Sequence, residues 1–335
     1  MIVWNDLFHS FPNALDLLAL TTFIGTLACR LWVIRPMPAG SFDMRPLLTR
    51  LWRLLLVCLI VLAPSSAIEL VQRASEMSGR PLREVSSVLR AVLFNTHYGH
   101  AWLIRIAALA MLWVGWWQGR RRLHSRAPSA FMLAGALLVG MTRSASGHGA
   151  DAGDFSLPEL MDWIHLLAAS LWSGSLVVFV AVIFPAWPRV WMHPGKQYAE
   201  QFAGIAQRFS TLAGIALPAV LLTGLYNFWL EAGTVSTLWT TSYGNILGVK
   251  LVLVLALIGL GASNRYLHVP RLQRSADSPQ TGEVVRRFAR TVTVEVILMT
   301  GVLVCAAQLM HETPARHQVH AGHITVLSQP VHATH

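Results

Sequence analysis

The segment ALDLLALTTFIGTL, residues 14–27, returns 149 positions later as WIHLLAASLWSGSL, residues 163–176. Leu17, Leu18 and Ala19 align with Leu166, Leu167 and Ala168, Gly25 with Gly174, Leu27 with Leu176, and further on Pro36 with Pro185. A second pair matches at an offset of 145. Thr96-His97-Tyr98-Gly99-His100, with Arg105 and Arg120, faces Thr241-Ser242-Tyr243-Gly244-Asn245, with Lys250 and Arg265. Apolar helices match one another by accident, but aligned glycine, proline and cationic positions do not. The chain therefore reads as a duplication, with halves 1–150 and 151–312 and a tail, 313–335, beyond them. The halves differ at one telling place: Asp16 in the first is His165 in the second.

Each half is too apolar for water. Of the 335 residues, 54% are hydrophobic and 13% charged, against roughly a quarter charged in an ordinary soluble domain. The apolar residues gather into runs of roughly 20, enough to cross a hydrocarbon layer about 30 Å thick. Eight spans are expected, near 12–35, 51–72, 100–118, 128–145, 158–184, 205–230, 245–264 and 288–310. The fold class is all-α: a polytopic membrane protein built as two four-helix repeats. Four is even, so both repeats point the same way, related by an axis along the membrane normal.

Charge sets the orientation. The net charge of +10 would suggest nucleic acid in a soluble chain, but here the cations sit in short loops between spans. With eight spans, 18 of the 26 Lys and Arg fall on one face and 8 on the other. The positive-inside rule makes the richer face cytoplasmic and puts both termini in the periplasm. The opening residues carry no Lys or Arg before the first span, so that span is expected to be retained.

Histidine runs the other way. Eleven of the 14 lie at or near the outer face, and five of them fall in the tail. Interfacial solvation alone does not produce that bias, while a histidine-rich tract is a compositional metal signal. Inside the second half, Met161 and Asp162 precede His165 by four and three residues and Trp172 follows by seven, so all four share one helix face. An imidazole with a thioether and a carboxylate beside it suits a transition metal, the carboxylate orienting the ring from behind. The plainer alternative is a histidine satisfied by Asp162 or a backbone carbonyl. His148, in the preceding SGH segment, Met310 with His311 after the last span, and His97 with His100 complete the candidate ligands.

Other chemistries find no motif. Cys29, Cys58 and Cys305 stand singly, without CxxC spacing. There is no GxxxxGK[ST] phosphate loop, so transport would be passive or driven by an ion or partner, and no enzymatic activity is expected. Ionisable residues inside spans are expensive and usually paired. Glu295 is expected either to pair with Arg290 or Arg287 or to serve a pathway. Lys250, Asn264 and Glu69 are further candidates for a supporting role.

Through SGH, WIHLLAASLWSG, Arg208-Phe209-Ser210, Tyr243-Gly244 with Lys250, Asn264-Arg265, Glu295 and Thr313-Pro314-Ala315-Arg316-His317, the chain resembles the CopD (PcoD-like) copper resistance family. The resemblance is closest over about 144–317. It implies an inner-membrane protein of bacterial copper handling that brings copper inward from the periplasm, beside a periplasmic CopC-like carrier. Copper is then the ion that His148, His165 and Met161 would pass along. The alternative from the residues alone is a b-type haem cytochrome or quinol-linked oxidoreductase, with His165 paired to His97, His100 or His311 across a membrane bundle.

Overall fold

The computed structural model describes residues 2–34, 43–147, 153, 155–187, 196–231, 241–275, 278 and 280–310. His148, His311 and the tail lie outside the described residues. Helix α1 spans Ile2–Ala28 and runs on through a π turn, Cys29–Val33. α2 is Arg45–Ser78, α3 the short Ser86–Asn95, α4 His97–Arg120 and α5 Ala127–Ser144. α6, Leu157–Val178, continues through a π turn at Phe179–Ile183. α7 is Lys196–Glu231, α8 Ser242–Ser263 with a π turn at Asn264–His268, and α9 Thr281–Leu309. Among the described residues there is no strand.

Seven of these helices are long and apolar enough to cross a membrane. The eighth expected span is present as α5 but is not among the seven. It has 18 residues and closes on Arg143 and Ser144, whose side chains are buried against other helices. α3 was not anticipated: it is amphipathic rather than uniformly apolar. α2 and α7, at 34 and 36 residues, extend well beyond the expected spans. Pro64 and Pro218 sit inside them, where each removes one backbone donor without ending the helix.

Local chemistry sets the helix starts. The hydroxyl of Thr96 accepts from the Gly99 amide at 3.0 Å, and that of Thr241 accepts from the Gly244 amide at the same distance. These N-caps hold the two segments that match at offset 145. α6 begins with Ser156 accepting from the Glu159 amide, while the Glu159 carboxylate accepts from Phe155 N at 2.6 Å.

α1 and α6, the segments quoted first, pack on each other at the centre. They cross where Gly25 meets Gly174, so closely that a Cβ on either would overlap the partner helix's backbone. α1 also packs on α2 as α6 packs on α7, and α4 on α5 as α8 on α9. At the arginine-rich end, Phe179 lies 4.5 Å from Phe209 and 6.0 Å from Phe288, centroid to centroid, in an aromatic core. Arginines there bind backbone carbonyls of other segments. Arg30 donates to Leu123 and His124, just past α4, and Arg208 to Val33 at the end of the first π turn, which meets the need of carbonyls freed at helix ends, while Arg265 donates to the Ser210 carbonyl within α7.

Candidate functional site

Among the described residues, three polar constellations interrupt the apolar interior. The largest belongs to the first half. Asp16, fully buried on α1, accepts from Arg105 Nη2 at 2.6 Å and from Arg143 Nη1 at 2.7 Å. Ser65 adds a third donor at 3.0 Å, just past Pro64 on α2. Glu69 stands behind, 3.8 Å from Arg105 and 3.5 Å from Arg143. Two guanidinium groups thus face two carboxylates, and the charges balance within a region from which water is largely excluded. Arg143 also donates to Asn13 and to Met310 Sδ at 3.1 Å. The cluster borders a cavity of about 110 Å³ lined by Glu69, Tyr98, Trp102 and Met310 among others.

The second constellation surrounds His165. Its Nδ1 lies 2.9 Å from Thr223 Oγ1 on α7. Gly224 leaves room for the ring, since a Cβ there would stand 3.2 Å from His165 Cε1. Lys250 lies within electrostatic reach of both His165 and Cys305. The third, nearer the arginine-rich end, joins Asn264 Nδ2 to Glu295 Oε1 at 2.9 Å, both residues buried.

Several sequence expectations change here. Asp162 does not orient His165: it accepts from Ser144 Oγ at 2.9 Å, and Thr223 takes that role. Met310 Sδ accepts from Arg143 and Asn13, while its expected companion His311 lies outside the described residues. Glu295 pairs with Asn264, whereas Arg287 pairs with Glu283 at 2.6 Å. Trp172 is buried in the core, so it packs rather than lines a polar site. His97 and His100 are exposed at the start of α4, and His100 Nε2 lies 3.1 Å from the Phe94 carbonyl. Met161 is half-buried on α6. Among the described residues, no three His, Cys, Asp or Glu side chains gather as a metal cluster.

The Asp16 cluster was missed. Its one sequence signal is the repeat alignment, in which Asp16 is the counterpart of His165 and Arg105 of Lys250. Arg143 and Ser65 give no signal, since their partners are far along the chain.

A multi-pass, all-α membrane protein with buried polar sites between its helices is the class these features define. The chain matches the family described as "Copper resistance protein D" over residues 203–309 and "Copper resistance protein D-like, N-terminal domain" over residues 10–156. It is similar to the copper transport protein CutJ of Bacillus subtilis, 29% identical over 225 residues, which are 65% of this chain and 37% of that protein. It is also similar to copper resistance protein D of Pseudomonas syringae pv. tomato, at 28% identity over 75% of this chain and 81% of that protein. A third relative is the inner membrane protein YebZ of Escherichia coli, at 31% over 57% and 61%. The chain thus spans well under half of the first relative's length. No solved structure matches significantly. The chain belongs to the copper resistance protein D family and is a multi-pass protein of the inner membrane.

Proposed function

We propose that this protein moves copper ions inward across the bacterial inner membrane, and acts as a permeation protein rather than an enzyme. The family and the names of its relatives support the cargo. The charge distribution supports the orientation: cations crowd one end, read as cytoplasmic, and both termini then lie in the periplasm. His97 and His100 at the start of α4, with His148 and His311, would collect the ion, from a CopC-like carrier where one is present. The two halves would act as repeats around the α1–α6 crossing, with the route between them.

The observation that carries the reading is the contrast between equivalent positions. Asp16 is saturated by two arginines and Ser65, so a cation gains nothing by approaching it. His165 offers an imidazole held on one nitrogen by Thr223. Few-ligand sites of this kind bind well enough to strip water and still release. Met161, one turn before His165, is the further soft ligand proposed, Lys250 acts beside His165, and Asn264 and Glu295 serve the inner part of the route.

Cells expressing the variant with both His148→Ala and His165→Ala should accumulate less copper than cells expressing the parent at equal membrane abundance. Undiminished uptake overturns the assignment. A strong visible haem band in the purified protein, lost in His165→Ala, would establish the cytochrome alternative instead.

A further inference from the structure

The hydrogen-bond chain behind His165 has only one consistent polarity. Thr223 Oγ1 lies 2.5 Å from the Ala219 carbonyl, one turn back on α7. A carbonyl can only accept, so the single hydroxyl hydrogen of Thr223 is committed to it. What Thr223 presents to His165 Nδ1 at 2.9 Å is therefore a lone pair. The Val220 carbonyl also lies beside the ring, 3.4 Å from Thr223 Oγ1, and it too can only accept. The nitrogen that faces these acceptors must carry the proton.

We infer that Thr223 is a positioning residue: it locks His165 in the Nδ1–H tautomer, so that Nε2 alone carries the lone pair and is the atom that takes the copper ion. The inference rests on His165 being a copper ligand. It adds the ligating nitrogen, the residue that selects it and the helix, α7, that supplies that residue. Metal-binding histidines gain ring orientation and basicity from such a partner on the far nitrogen, and its loss usually weakens binding 10- to 100-fold. Thr223 fills the place that sequence reasoning gave to Asp162. Gly224, next to it, keeps the ring close enough for the bond to form.

The test uses the purified full-length chain labelled with ¹⁵N in its histidines. Nitrogen chemical shifts distinguish the two neutral tautomers, and His165→Ala identifies the signal by difference. The parent and Thr223→Ser, which keeps the hydroxyl, should show the Nδ1–H form. Thr223→Val, of nearly the same shape, should shift the population toward Nε2–H. Cu(I) affinity, measured against a chromophoric chelator, should fall roughly 10- to 100-fold in the valine variant and recover in the serine variant. An unchanged tautomer in Thr223→Val, or an Nε2–H parent, overturns the role of Thr223. A tautomer that responds as stated while His165→Ala binds Cu(I) like the parent overturns the ligand assignment beneath it.

Discussion

Asp16 is fully buried against two arginines and a serine, and its value is conditional on its partners. Two charge-assisted bonds at 2.6 and 2.7 Å offset the removal of three charges from water only while all three remain. Asp16→Asn leaves two buried guanidinium groups without their main counter-charge, and breaking such an arrangement costs about 3–5 kcal/mol. We expect a lowered unfolding midpoint in detergent for Asp16→Asn. A simultaneous Arg105→Met and Asp16→Leu replacement should recover part of it, because it removes opposite charges together. A single variant as stable as the parent would show that the cluster is not held by these pairs. Glu295 is a milder case. Glu295→Gln keeps an acceptor for Asn264 Nδ2, whereas Glu295→Ala leaves that buried donor unsatisfied, at about 1–3 kcal/mol.

At the scale of elements, the fold hinges on the approach of α1 to α6. Two helices bring their backbones into contact only where both lack a side chain, and Gly25 and Gly174 supply that place. Their alignment at a fixed offset was visible in the sequence, but the contact between them was not. Gly174→Ala inserts a methyl where the Thr21 carbonyl stands, so the helices must part. The expected cost is about 1–3 kcal/mol, typical of overpacking, with a loss of copper uptake larger than the loss of folded protein. Equal losses of both would mean the crossing is structural only. The π turns have a different consequence. At Asn264–His268 the widened turn carries Asn264 to the Glu295 carboxylate, so a helix irregularity places a polar pair in the interior.

For the whole molecule, orientation is the property that a labelling experiment reads directly. Cys29, Cys58 and Cys305 are buried, so the parent should give little background with a membrane-impermeant thiol reagent. Ser87→Cys, on α3, should label in spheroplasts, and Ser125→Cys, between α4 and α5, should label only after the membrane is opened. The reverse pattern would invert the protein in the membrane and place His97 and His100 on the cytoplasmic side.

The sequence by itself determined the membrane class and the number of apolar segments to within one. Those follow from composition and periodicity, which act between neighbours along the chain. Only the tertiary structure decided which polar groups meet. Arg105 and Arg143 reach Asp16 across 89 and 127 positions, and Thr223 reaches His165 across 58. Spacing along one helix favoured Asp162 as the partner of His165, since three residues share a face. Packing overruled it, because Ser144 at the end of α5 took that carboxylate while α7 brought Thr223 against the imidazole. Buried polar groups are satisfied by whatever lies nearest in space, and in a bundle of long helices that is a residue of another helix.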